Sequence, residues 1–523
     1  MAAFAPIPCV PPSRNEALCM DWSNDPSAPV LAVSGRGSDI QVFNDEGDRQ
    51  EPGIEVTRPS DATHIQWHPK NKVLAMGWKD GAVSVWSETA MPQEDTLIHA
   101  APITMLTWSP EGSRLLTGDA SGMMGVWKVD KRCRLTPICQ YAKKGAITCC
   151  AFRNPEARPN SCPDFFFGGD SGQVCFANDS GRCSDAFAVK GEIASILYYN
   201  RREAVVVITR SFMLEQYQLQ AGPVPALKQT MRVKMSGSAN DADTLQCIWA
   251  GDGTLATVCN ESMVRVWDLQ QDENYMLSLN DEAIATKSSS DRITKVMFNA
   301  RRGMLAASTK DGLVVFWRFV GAPAGEEDAA SAWSPVTTVE LNARVEHLAW
   351  GPRPSLLAAG FAESATVLLE TAFYRKVRDG LGCIQSGPDT LTVTRAGVEG
   401  ATPLNLTAGI RISGADHDES RVVVWSGKKV EVWQPGADGC RFLGAFSRVT
   451  SLIGIRGESL FALVGPRIEV CNLQGTVKNT LTFTDAEGEP ITLDIMGNFL
   501  VVATSLGHIK MWDVSRRQPK ISR

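Results

Sequence analysis

The chain has 523 residues, a formal net charge of −6 at neutral pH, 44% hydrophobic and 21% charged residues. That length exceeds one ordinary core, and the near-average composition excludes a fibrous or wholly disordered chain, so two large packed domains are expected. The acidic balance speaks against nucleic acid as a partner, because that affinity rests on clustered Lys and Arg.

At the start, Met1 to Pro12 is apolar but carries prolines at 6, 8, 11 and 12 and no basic residue before Arg14. This is not a secretory leader. No apolar run approaches the roughly 20 residues that span a bilayer, so no transmembrane segment is expected and the chain reads as soluble and intracellular. The fourteen cysteines are scattered from Cys9 to Cys471 without a C-x-x-C pair. They read as free thiols of a reducing compartment.

From Leu18 onward a repeat organises the chain. Each unit has an alternating strand, a polar turn, a more continuous apolar strand, a tight turn and a third strand ending near an aromatic. The clearest copies are His64 to Trp86, with Asp80-Gly81 in its tight turn, and Ile103 to Trp127, with Ser121-Gly122. Weaker copies are Leu18 to Phe43, Ile147 to Phe176, Ile193 to Tyr217, Leu245 to Trp267 and Ile293 to Trp317. Seven such units predict a closed seven-bladed β-propeller over residues 1–320.

Residues 321–344, with Gly-Ala-Pro-Ala-Gly and Glu326-Glu327, read as a linker or inter-blade loop. Strands resume at Val345 to Leu369, Gly382 to Val393, Ile412 to Trp433, Val449 to Val470 and Ile491 to Trp512. Five units over residues 345–523 predict a second propeller that is incomplete, in a polypeptide that continues. The fold class is thus all-β, with tandem WD-repeat propellers. The terminal basic run Arg516, Arg517, Lys520, Arg523 reads as a solvated tail.

The recurring aromatics Phe43, Trp86, Trp127, Phe176, Tyr217, Trp267, Trp317, Trp433 and Trp512 are expected to pack between neighbouring sheets rather than to stack on a ligand. Trp-Asp pairs stand at Trp267-Asp268 and Trp512-Asp513, but no Gly-His dipeptide precedes a first strand, so the side-chain network of regular WD repeats is expected to be mostly missing. The six histidines, at 64, 68, 99, 347, 417 and 508, lack zinc-ligand spacing. Asp416, His417, Asp418 and Glu419 read as a solvated loop. No P-loop, G-x-S-x-G or H-E-x-x-H occurs, so neither a catalytic residue nor a cofactor or metal is expected.

Four stretches go beyond a generic propeller: Ile65 to Trp86 (IQWHPKNKVLAMGWKDGAVSVW), Arg202 to Thr209 (REAVVVIT), Trp267 to Tyr275 (WDLQQDENY) and Ile491 to Arg517 (ITLDIMGNFLVVATSLGHIKMWDVSRR). In their order and spacing, the chain resembles the amino-terminal region of the one-hundred-and-forty-kilodalton subunits of intraflagellar transport complex A. The resemblance implies a non-catalytic scaffold that supports retrograde transport and brings membrane cargo into the cilium. Its implied partners are the other complex-A subunits and cargo or membrane-cargo adaptors. Its implied places are the axoneme, the basal body and the cytoplasm. A vesicle-coat subunit is the main rival, since coatomer-like proteins share the two-propeller start. A ubiquitin-ligase receptor is disfavoured by Leu269-Gln270 and Val514-Ser515, which leave no Arg two places after either Trp-Asp. A propeller enzyme lacks the acid, base and metal clusters it needs.

Overall fold

A computed structural model describes residues 2–9, 19–36, 40–51, 53–54, 58–88, 98–153, 162–220, 226–237, 244–281, 284, 288, 290–321, 329–341, 343–362, 364–395, 402–437, 439–515 and 519–521. The chain divides into one compact unit at Phe4–Leu369 and another formed by Met1–Ala3 with Glu370–Arg523. Both are built from antiparallel meanders whose middle strands are buried on both faces, such as Leu115–Asp119, Phe165–Gly169 and Met304–Thr309. Strands of that kind must be covered on each side, which is why the sheets stack around an axis.

Each of the seven units expected in the first propeller is one sheet of this first unit. An eighth sheet joins His347–Trp350, Leu356–Gly360 and Ala365–Ala372 to the strand Ala2–Cys9. Eight apolar clusters lie between successive sheets, and one of them packs Leu356, Ala358 and Val367 of the eighth against Trp22, Leu31 and Phe43 of the first. Eight sheets sharing eight interfaces make a closed ring. The fourth strand of the closing sheet comes from the opposite end of the sequence, and its prolines at 6 and 8, which lack a backbone donor, suit an outermost edge.

The boundary expected at 321–344 is therefore corrected. Trp333–Glu340 is the outer strand of the seventh sheet, paired with Leu313–Phe319. The unit at 345–369, expected to open the second propeller, closes the first. The Gly-Ala-Pro-Ala-Gly stretch beyond Gly321 and the pair Glu326-Glu327 lie outside the described residues, as do Arg516, Arg517 and Arg523.

The second unit then holds four sheets among the described residues, starting at Arg375, Gly414, Ile453 and Pro490. Three apolar clusters join them in sequence. The first and last of the four meet through polar groups of their innermost strands: Lys376 Nζ lies 2.6 Å from Asp494 Oδ1, and Arg378 Nη1 donates to the Ile495 carbonyl at 2.9 Å.

Tight turns set the strand register. Gly81, Gly122, Gly172 and Gly312 occupy equivalent turns at φ +90°, +97°, +72° and +85°, a region L side chains avoid. A Cβ on Gly122 would also stand 2.1 Å from the Lys143 carbonyl. Gly122→Ala is expected to cost about 1–3 kcal/mol through backbone strain, read as a lower midpoint in thermal unfolding.

Candidate interaction surfaces

Adjacent blades of the first ring are stitched along their innermost strands. The side-chain oxygens of Asp21, Gln66 and Gln246 accept the backbone N–H of Trp67, Trp108 and Val296 in the following sheet, each at 2.8 Å. Thr63 and Thr104 donate across the next interfaces, to the carbonyls of Ile103 and Ile147 at 2.8 and 2.7 Å. The indoles of Trp67 and Trp108 donate backwards to the Asp21 and Gln66 carbonyls, each at 3.2 Å. A platform held this way presents its loops with little ordering cost.

The recurring aromatics fall between sheets. Phe43, Trp127, Tyr217, Trp267, Trp317 and Trp512 are buried in clusters shared with the preceding sheet, and Trp86 and Trp433 pack against such clusters from partly covered positions. Phe176 turns the other way. It lies opposite Phe166 and packs toward the fifth sheet, because Cys175 and Ala177 occupy the backward face.

One complete polar network sits where the sequence showed none. His99 Nδ1 is 3.0 Å from Asp119 Oδ2, His99 Nε2 is 2.8 Å from Thr117 Oγ1, and Trp127 Nε1 donates to that hydroxyl at 2.8 Å. A neutral imidazole satisfies every contact: Nδ1–H donates to the carboxylate, and the Thr117 hydroxyl donates to Nε2 while accepting from the indole. The imidazole is then neutral, in keeping with burial lowering its pKa. Burial would raise the Asp119 carboxyl, but hydrogen bonds from the Met123 backbone, Ser121 and His99 outweigh it and hold the group below its usual range. A reduced copy survives in the sixth sheet, where Trp267 Nε1 donates to Thr257 Oγ1 at 2.9 Å.

His68 is buried in a turn, its Nδ1 accepting from the backbone of Lys70 and Asn71 at 3.0 Å each and its Nε2 3.1 Å from the Gly112 carbonyl of the next sheet. The Asp416 to Glu419 stretch is not a solvated loop. Asp416, His417 and Asp418 are buried at the innermost strand Gly414–His417 and just beyond it. Asp416 Oδ2 faces Arg378 Nη2 at 3.1 Å and accepts the Ile455 N–H at 3.0 Å, while Asp418 Oδ2 accepts that of Gly457 at 2.8 Å. These partners come from distant strands, so local composition did not show them.

Two surfaces among the described residues are suited to holding a partner. Asn24, Pro69, Phe298, Arg301, Trp350 and Pro354 line an open recess of about 340 Å³ where first-to-second-strand loops of four consecutive blades meet. The second is the exposed face of the last sheet, where Met496, Phe499, Val501, Ile509 and Met511 share one side and are 36–79% exposed. The opposite side of that sheet buries Ile495, Leu500, Val502 and Trp512. An exposed apolar face of this kind drives association. The isolated chain is expected to self-associate in sedimentation velocity, and the double substitution Phe499→Glu, Ile509→Lys should weaken that association at least about tenfold while leaving unfolding within about 0.5 kcal/mol. Among the described residues no group of three His, Cys, Asp or Glu side chains is placed to hold a metal, and no helix is long and apolar enough to cross a membrane.

The family model described as the IFT140 first beta-propeller matches residues 11–162 and 157–371, and that of the IFT140 second beta-propeller matches 379–522. The first match ends at the close of the eighth sheet. A curated relative, the human F-box-like/WD repeat-containing protein TBL1Y, is 24% identical over 127 residues, which is 22% of this chain and 24% of that protein. The chain thus spans about a quarter of that relative's length. The C-terminal WD40 domain of Sif2 superposes with a TM-score of 0.52 at 12% identity, covering 70% of this chain and 98% of that one, and so agrees in fold. The computationally designed Ika8 protein reaches 0.48 at 15% identity over 68% and 97% of the two chains.

Proposed function

The chain belongs to the IFT140 family, and from that membership we propose that it serves as a non-catalytic scaffold of intraflagellar transport complex A. In this reading it supports retrograde transport and brings membrane cargo into the cilium, acting at the axoneme, the basal body and in the cytoplasm. Its contacts are with other complex-A subunits and with cargo or membrane-cargo adaptors. The reading rests above all on the family match over both propellers. The physics of the fold agrees with it, since a ring stitched strand to strand holds rim and mouth loops rigid, and binding then loses little conformational freedom.

The test is affinity purification of the tagged chain from ciliated cells, with the bound proteins identified by mass spectrometry. Recovery of complex-A subunits is the expected result. Their absence, when the chain is folded and present at the ciliary base, would overturn the proposal.

A further inference from the structure

Five cysteines, Cys139, Cys150, Cys162, Cys175 and Cys183, converge on the interface between the third and fourth sheets of the first ring. Cys175 lies in Gln173–Ala177 and Cys183 in the outer strand Cys183–Ala188. The ladder sets Ala177 opposite Cys183 and Cys175 opposite Asp185, so all four side chains share the face toward the third sheet. A register irregularity between Val174 and Cys175 displaces the latter from a regular ladder. Cys175 and Cys183 are therefore diagonal neighbours on that face.

The surroundings grade from solvent inward. Asp185 is 63% exposed and holds the Lys143 ammonium at 2.6 Å, with Lys143 itself 26% exposed. Cys183 is half-buried behind that pair. Cys175, 1% exposed, lies deepest, its sulfur 3.5 Å from Asp185 Oδ1. An accessible thiol beside a cation and backed by a second thiol is the arrangement that thiol–disulfide exchange requires.

We propose that Cys183 and Cys175 form a dithiol that exchanges with low-molecular-weight disulfides, making the outer edge of the fourth sheet a thiol-modification site. The Cys183 thiolate attacks one sulfur of the disulfide RSSR. That S–S bond breaks, one RS⁻ leaves and takes up a proton from water, and a mixed disulfide remains on Cys183. Cys175 then loses its proton to solvent and attacks Cys183 Sγ, expelling the second RS⁻. Two protein thiols are oxidised and one RSSR is reduced to two RSH.

The electrostatics favour Cys183 as the attacking group. The neighbouring Cys175 thiol and the charge of Lys143 lower its pKa against the opposing effects of burial and of Asp185. Tyr141, which also faces this interface, is pushed upward by burial and stays neutral. For other thiols burial dominates, and Cys9, Cys162 and Cys383 are pushed up to about 12.

The experiment incubates the 523-residue chain with oxidised glutathione at neutral pH, quenches with acid and maps the cysteines by mass spectrometry. A Cys175–Cys183 disulfide is expected in the parent chain, a glutathione adduct on Cys183 in Cys175→Ser, and a reduced Cys175 in Cys183→Ser. A parent chain in which Cys183 stays reduced overturns the proposal, as does an adduct on Cys183 without closure onto Cys175. A second measurement needs no cysteine variant: alkylation of Cys183 in the parent chain should rise half-maximally below the free-thiol value of ~8.5, and Lys143→Met should move it upward. A midpoint at or above the free-thiol value, unmoved by Lys143→Met, also sinks it.

Discussion

Trp127→Ala is expected to destabilise the first ring by about 3–5 kcal/mol, the range for removing a large aromatic from a packed core. The indole is 4% exposed and fills the interface between the second and third sheets together with Val83, Ile103, Trp108 and Leu115. Its loss opens a cavity between two sheets that stitched strands keep from collapsing together, so the cost should approach the upper end. It also removes the donor to the Thr117 hydroxyl, which still faces His99. Trp127→Phe separates the two effects. Phenylalanine retains much of the buried area and lacks the N–H, so a loss of only about 1–2 kcal/mol is expected. Differential scanning calorimetry of the parent and both variants provides the check; a transition of the first ring unmoved in the alanine variant would contradict the packing assignment.

That Trp127 belongs between blades was readable from sequence because its unit has a regular strand period and a Ser-Gly turn. The network around it was harder to see. His99 precedes the first strand without a glycine before it, and its partners Thr117 and Asp119 lie in the next strand, where each alone looks ordinary. A His four residues before Ile103, with Thr and Asp two apart in the following strand, was the available signal. Ring closure was harder still. The strand Ala2–Cys9 reads as an irregular proline-bearing start, and its role emerges only when it lies on a sheet more than three hundred residues downstream. Without that partner, the unit at Val345 to Leu369 looks like the beginning of a second ring. The Asp416 to Asp418 stretch hides its role for the same reason. Charged residues without local partners suggest solvent, whereas Arg378 and the backbone of Ile455 and Gly457 bind them from other strands. Local periodicity identifies blades, but closure and buried charge depend on long-range partners that composition does not carry.

Asp21 provides the second large effect, because the residue that stitches the first sheet to the second is itself out of balance at neutral pH. Burial pushes its carboxyl up to about 7, against the backbone hydrogen bonds from Trp67 and Trp22 that favour the charged form. In the unfolded chain the same group titrates near ~3.9. Between those values the folded state binds more protons than the unfolded one, so this group's contribution to stability falls as pH rises from about 4 to about 7 and is constant above. Asp21→Asn keeps a side-chain oxygen to accept the Trp67 N–H and removes the charge. The variant is therefore expected to match the parent near pH 4 and to exceed it by about 2–4 kcal/mol at pH 8. Carboxylates held below their usual range, such as Asp119, have the opposite slope at lower pH, where their stabilisation is lost as they protonate. They are common to both chains and cancel in the difference. Urea unfolding of the two chains at several pH values measures that difference, and a gap that does not widen between pH 4 and 8 would show that Asp21 sits in a wetter site than the strand contacts imply.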